Sequence, residues 1–339
     1  TPDPGYVAPA GTAVFRIKRG GSIVTEAGVA ASPATTLARI FVDNVGSYTG
    51  VAIANPSDQF VSVTFVLLDR YGSALDSKIV SLPAKAHIAK FAHEVFPGLS
   101  DKFSGLMEIS SSSPVVPITL KLTPVANKDS VLTTLPVADL MRPPTGVQVL
   151  FPQIAIGGGF STRLIFISTD KFRSITGRLS FFNSDSTPMV VPLGGSSNSQ
   201  FSYQIAAGGG RQLLPGNAAA IASISLIDPQ TNQITKEVVV NEGQSLRPGF
   251  LVLDSAGVAR DDFDLSYASL SADIATVDNT GNIQGKKAGF STLTASSGNV
   301  LTTGTITVVT VSSGVAGFEI TGVAQDLARR LYLANSGDH

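Results

Sequence analysis

The sequence predicts an all-β chain of tandem β-sandwich domains, and three observations carry that prediction. Strand-like runs of about five to nine residues recur, each closed by Gly, Pro, Asn or Asp, while helical periodicity is nearly missing. Charged residues make up 14% of the chain, against about 25% in an average soluble domain. The polar surface therefore comes from Ser, Thr, Asn, Gln and Gly, and Thr with Val suits a pleated sheet. Finally, the chain repeats itself in the order strand, loop, strand, hairpin, strand.

The 339 residues correspond to roughly two to four domains, each able to hold one two-layer core. Residues 1–35 contain two strand-like runs, TAVFRI and SIVTEAGVA, around Gly20-Gly21. They read as a hairpin of the first sandwich or as the remnant of a preceding domain. In Ala13–Ile17, Val14 and Arg16 share one face, and Phe15 and Ile17 share the other. At least one of this run and the tail segment Leu331-Tyr332-Leu333 is expected to dock by strand addition, on the chain's own first or third sandwich or on a neighbouring copy.

Residues 36–141 form the first sandwich. Within VSVTFVLL (61–68), Val61, Val63, Phe65 and Leu67 line one face, and Asp69-Arg70-Tyr71-Gly72 turns the chain. Segment 88–99 predicts a short helix ended by Pro97-Gly98. Residues 142–232 form the second sandwich, a repeat of the first. Val51-Ala52-Ile53-Ala54 aligns with Leu164-Ile165-Phe166-Ile167. Val61 meets Ile175, Phe65 meets Leu179, and the turn Asp69–Gly72 lies over Asn183–Ser186. Residues 82–91 sit over 205–214. The join Met141-Arg142-Pro143-Pro144-Thr145-Gly146 reads as a stiff linker.

A third unit spans 233–311, opening with the strand KEVVVNEGQ (236–244) and a hairpin at Asp254-Ser255-Ala256-Gly257. Tyr267, Ala275, Val277, Asp278, Gly281, Ile283, Gly285 and Gly289 then follow in a fixed spacing. This pattern resembles the bacterial immunoglobulin-like domain, group 2, of invasin- and intimin-type surface proteins, with Tyr where Trp is usual. The resemblance implies an immunoglobulin-like sandwich on a bacterial surface. Val277, Ile283, Leu293 and Ile306 are expected in its core, with Asp278–Gly281 as the turn between strands. The paired sandwiches also resemble a domain pair of secreted proteins of soil bacteria. That likeness rests on Gly50–Pro56, Phe96-Pro97-Gly98-Leu99 and Phe151-Pro152-Gln153-Ile154, and no activity attaches to it.

The tail, 312–339, has two readings. Val323, Leu327 and Leu331 at four-residue spacing suggest a helix. Alternatively, GVAQDLARRLYLANSGDH resembles the start of an NHL-type β-propeller repeat, which implies a longer natural protein. The second reading is preferred. At the other end, Thr1-Pro2-Asp3-Pro4 shows no signal peptide, so any such leader has been removed.

The search for chemistry favours structural roles. Net charge is −1 without a basic stripe, which argues against nucleic acid, and no apolar run reaches the ~18 residues of a membrane span. Cysteine is absent, which excludes disulfides and thiolate metal sites. The three histidines are His87, His93 and His339. His87 and His93, with Glu94 nearby, are spaced for neither a helical nor a strand metal pair. No G-x-S-x-G elbow supports a Ser–His–acid triad. Asp261, Asp262, Asp264, Asp273 and Asp278 offer oxygen ligands for calcium, but EF-hand spacing is lacking, and a solvated hairpin face outweighs that reading. Gly157–Gly159 and Gly208–Gly210 lack the Lys-Ser/Thr of a phosphate loop and read as flexible turns. Glu26, Glu94, Glu108, Glu237, Glu242 and Glu319 are too dispersed to form a legible glycosidase pair. Phe65, Phe166, Phe181 and Phe182 lie in strand runs and read as core rather than as a sugar platform.

The sequence thus assigns no catalytic, cofactor or metal residue. Its leading function is a non-enzymatic structural or adhesive protein, extracellular or on the bacterial surface, with the sandwiches as a spacer or stalk. The alternatives are a fibre subunit that assembles by strand addition between copies, and a module of a larger secreted protein that binds a glycan or matrix protein.

Overall fold

The computed structural model describes residues 5, 11–125, 129–146, 148–217, 219–231, 233–260, 262–310, 320–325 and 331–335. Almost every regular element is a strand, so the all-β class holds. The chain divides into two compact units, which are described separately. The first comprises Thr1–Lys236, Pro248–Ser266 and Ala295–Thr303. The second comprises Glu237–Arg247, Tyr267–Thr294 and Gly304–His339.

In the first unit, β1 (Thr12–Arg19) and β2 (Ser22–Ala30) form an antiparallel hairpin around Gly20-Gly21. The first sandwich follows, with β3 (Thr35–Asp43), β4 (Tyr48–Ala54), β5 (Val61–Leu68), β6 (Ala74–Leu82) and β7 (His87–Phe91). Next come the one-turn helix α1 (Ala92–Val95), β8 (Ser104–Thr123), β9 (Val131–Leu135) and β10 (Ala138–Asp139). The helix is shorter than the segment that predicted it because β7 takes the residues before it.

One strand organises this sandwich. The first half of β8 pairs with β3 and β5, and its second half pairs with β4 and β9. The chain passes from one sheet to the other through Ser110–Pro114, where small residues and a proline let a strand bend at a sandwich corner. The alternation in β5 is seen directly: Val61, Val63 and Phe65 are fully buried and Leu67 nearly so, while Ser62 and Thr64 are half-exposed. They meet Ile40, Val51, Ile53, Met107 and Ile109 in one core.

The second sandwich contains β11 (Leu164–Ile167), β12 (Ile175–Ser180), β13 (Val191–Leu193), β14 (Ser196–Asn198), β15 (Gln200–Ile205) and β16 (Gly210–Leu213). Its ladders reproduce registers of the first. Val51 faces Lys90 across β4 and β7, and the aligned Leu164 faces Leu213 across β11 and β16. Val61 faces Leu82 and Phe65 faces Lys78; their counterparts pair as Ile175 with Ile205 and Leu179 with Phe201. The turns agree too: Asp69 N–H donates to Ser73 and Gly72 N–H to Asp69, as Asn183 N–H does to Thr187 and Ser186 N–H to Asn183. Between the turn and β15 the second copy inserts the β13–β14 hairpin, whose Val191 and Leu193 join Leu164, Phe181 and Leu213 in its core.

β17 (Ile221–Ile227) pairs with β20 (Gly249–Asp254), so a ladder crosses the expected boundary at 232/233. The second unit holds β18 (Glu237–Asn241), β19 (Ser245–Leu246), most of β21 (Ser266–Ser269), β22 (Ala275–Val277) and β23 (Ile283–Gly285). It also holds parts of β24 (Gly289–Ser297) and β25 (Val300–Val309). One sheet runs β18-β25-β24-β21, with β18 parallel to β25, and the other runs β19-β23-β22. Ile283, Leu293 and Ile306 are buried as expected. Val277 is only half-buried; it shares a face with fully buried Ala275, two residues before it, but ends its strand beside the Asp278 turn.

The two end segments are strands in local hairpins: residues 12–18 pair with β2, and β26 (Ile320–Gln325) pairs with β27 (Leu331–Asn335). The first hairpin is tied to the first sandwich, the Leu132 N–H of β9 donating to Thr25 Oγ1 and the Thr134 hydroxyl to the Gly28 carbonyl of β2. Leu331-Tyr332-Leu333 is therefore a strand, not a helix; Leu327 and His339 lie outside the described residues.

Candidate functional site

The best-built polar structures in the first unit are charged seams where its parts meet. Arg39 on β3 is almost fully buried. Its Nη1 donates to the Ser168 carbonyl at 2.7 Å and its Nη2 to Glu108 Oε2 at 2.6 Å. Lys171 donates to the other Glu108 oxygen at 2.7 Å. Burial raises the Glu108 pKa, but hydrogen bonds and charge from Lys171 and Arg39 outweigh it, so the carboxyl sits below its ordinary value. Asp43, at the other end of β3, accepts from Lys121 at 2.5 Å and Arg163 at 2.7 Å. Both networks join strands of the first sandwich to residues 163–171 of the second.

Apolar and backbone contacts run along the same seam. Ile165 and Ile167 of β11 pack on Phe41, Leu68 and Leu106. The Gly210 N–H donates to the Arg70 carbonyl at 2.8 Å. A Cβ on Gly209 would overlap that carbonyl oxygen, and one on Gly72 would stand 2.5 Å from the Ala207 oxygen. Gly208–Gly210 do include a turn, closed by the Gly209 N–H on the Ala206 carbonyl, but all three are buried where two backbones approach too closely for side chains. The linker 141–146 is likewise tied back, with Arg142 Nη2 donating to the Ala34 carbonyl at 2.6 Å.

A third cluster centres on Arg260, whose side chain has no solvent exposure. It binds both oxygens of Asp262, and its Nη1 reaches Asp254 Oδ2 and the Ala219 carbonyl. The Gly194 N–H, in the β13–β14 turn, donates to Asp262 at 3.4 Å. Burial lowers the Arg260 pKa and the two carboxylates more than restore it, leaving it raised. For Asp254, burial raises the pKa, and donors from Val258, Ala256, Asn217 and Arg260 bring it below its ordinary value.

This overturns the solvated-face reading of the acidic cluster for Asp262, which is a buried ion-pair partner. Asp264 pairs with Arg211 at 3.0 Å, Asp278 caps its own turn, and Asp261 lies outside the described residues. Among the described residues, no group of three His, Asp or Glu side chains is placed to hold a metal. The sequence missed Arg39 and Arg163 because their partners lie 69 to 129 residues away. It missed Arg260 although Asp262 and Asp254 are two and six residues away, because an acidic run reads as a solvated face.

The remaining candidates fall into place separately. His93 stacks on Phe91 at 5.5 Å and meets Tyr48 edge-on at 5.4 Å, while His87 is exposed on β7. Gly157–Gly159 form a tight hairpin turn closed on Phe160. Phe65 and Phe181 are core; Phe166 is half-buried in a row with Phe151 and Tyr203, and Phe182 is exposed. A cleft of ≈ 400 Å³ lies among Arg70, Tyr71, Lys102, Gln233 and Phe250. Arg70 lies over the Tyr71 ring there, 4.7 Å from its centroid. No helix among the described residues is long and apolar enough to cross a membrane.

Among solved structures, the chain is similar to domains 4 and 5 of the S-layer protein SbsC at 18% identity, over 40% of this chain and 76% of that one, with a TM-score of 0.23. Domains 1–6 of SbsC align at 11% identity over 88% and 58%, with a TM-score of 0.24. No curated protein matches the chain. Residues 230–308, which carry the Arg260 cluster and the Asp278 turn, match the family model of the bacterial Ig-like domain (group 2).

Proposed function

We propose that the chain is a non-enzymatic structural protein of the bacterial surface or extracellular space, in which tandem sandwiches act as a stiff spacer. The observation that carries this reading is the seam between the two sandwiches, where buried Arg39 bonds the Ser168 carbonyl and the half-exposed Lys171 and Arg163 of the second sandwich pair with Glu108 and Asp43 of the first. Half-exposed ion pairs of this kind add little net stability. Separating the sandwiches would nevertheless strip buried Arg39 and buried Asp43 of one partner each, and that penalises hinge motion. A hinge would need no such penalty; a spacer benefits from it. The Ig-like match supports a surface location. Labelling of intact producing cells with a membrane-impermeant amine reagent tests that location. The protein should be tagged without lysis, and tagging only after lysis would contradict the reading.

A second reading, a module that binds a glycan or a protein, is favoured by the cleft beside Arg70 and Tyr71. Its ≈ 400 Å³ falls in the range of small-ligand sites, about 300–1,000 Å³. Titration of the chain and its Tyr71→Ala variant with neutral and acidic oligosaccharides tests it. Binding lost in the variant supports this reading, and no binding to either sinks its glycan form.

A further inference from the structure

The second sandwich reproduces the first except for one strand. In the first, β8 pairs with β3, β4 and β5 at once. In the second, among the described residues, β11 pairs with β16 alone and β12 with β15 alone. β17, which follows β16 in the chain as β8 follows β7, pairs with β20 and with neither β11 nor β12. The counterpart of β3, around residues 148–156, forms no regular element. The counterparts of β4 and β5, which are β11 and β12, thus lack in the second sandwich the partner that β8 gives them in the first. Large apolar side chains lie exposed in the same region: Val149 at 65%, Leu150 at 75% and Phe151 at 44%.

We propose that the free edge of β12 takes an added strand from another polypeptide, in the register that β8 uses on β5. An unpaired strand edge is a template for such addition, with backbone bonds supplying affinity and alternate side chains supplying specificity. The internal repeat states what the incoming strand is like. Val63 to Val66 face Ser111 to Glu108, so Gly177 to Ser180 would face the residues in those places. The incoming strand alternates apolar and polar residues, as Met107-Glu108-Ile109-Ser110 does. It carries one acid opposite Ser180, diagonal to Arg178. Arg178 is exposed and makes no ion pair among the described residues, and diagonal cross-strand neighbours are within reach of a long side chain. The inference rests on the second sandwich alone, so it stands or falls apart from the spacer reading.

The test uses the full chain and a fluorescent synthetic peptide with the sequence of residues 104–123, followed by anisotropy. Saturable one-to-one binding is expected, weakened about tenfold by Arg178→Glu. A peptide in which the residue at 108 is changed from Glu to Lys should restore binding to that variant, which a folding defect could not explain. Absence of saturable binding overturns the proposal. So does binding indifferent to Arg178→Glu, or a charge swap that fails to restore it.

Discussion

Arg260 grips the carboxylate of Asp262 with Nε at 2.7 Å and Nη2 at 2.5 Å, although the two residues are only two positions apart. Neither side chain is exposed, so this is an ion pair taken fully out of water. Removing one partner strands the other. Asp262→Ala should cost about 3–5 kcal/mol, whereas the double replacement Arg260→Met with Asp262→Leu should recover most of that loss. Urea unfolding midpoints of the three chains check this. A single variant as stable as the parent would mean that the pair is not desolvated as described.

Acid should weaken the fold in a defined window. Glu108 and Asp254 have pKa values lowered from ordinary values of 4.5 and 3.8. Asp278 is lowered as well: burial raises it, and donors from Thr280 and Asn282 with the charge of Arg247 outweigh burial. Groups depressed in the folded state stabilise it fully above their unfolded pKa, and that contribution is lost as pH falls through the folded value. Stability set by these groups should therefore be level above about pH 5 and decline below about 4.5. Glu108→Gln and Asp278→Asn should each shallow the decline. An equally steep decline in both variants would assign acid sensitivity elsewhere.

The hairpin turns make a paired prediction. Asp69–Gly72, Asn183–Ser186, Asp254–Gly257 and Asp278–Gly281 share one pair of backbone bonds, and the fourth residue always has positive φ. Three of the four use glycine; the second sandwich uses Ser186, at φ 69. Left-handed backbone costs a non-glycine residue about 1 kcal/mol. Ser186→Gly should stabilise by up to about that amount. Gly281→Ala should destabilise by more than that, because its Cβ would also stand 3.0 Å from the Tyr267 ring. Thermal midpoints moving in the same direction for both variants would refute the shared-turn account.

The sequence made legible what depends on near neighbours. Alternation in Val61–Leu67 revealed a buried face because a strand's side-chain period is fixed at two. The repeat alignment anticipated pairs such as Ile175 with Ile205, since register follows turn and pattern. Val277 misled because alternation names a face but not the depth along it: Ala275 on the same face is fully buried, whereas Val277, at the strand end, is half-buried. The charged seams left almost no local trace. Arg39 lies 129 residues from the Ser168 carbonyl that it bonds, and nothing in either neighbourhood marks the pair. Glycine triplets read as loose turns for the same reason: the backbone that Gly209 lets in belongs to residues 70–71.

The central claim is that the two sandwiches form one stiff body, and distance measurement between them tests it most directly. The chain has no cysteine, so Ser81→Cys on β6 and Ser202→Cys on β15, both exposed, give two unique spin-label sites. Double electron–electron resonance should return a single narrow distance distribution, which broadens when Arg39→Met and Asp43→Asn break both ion networks. A broad distribution in the otherwise unaltered chain, of the kind a flexible linker gives, would contradict the account.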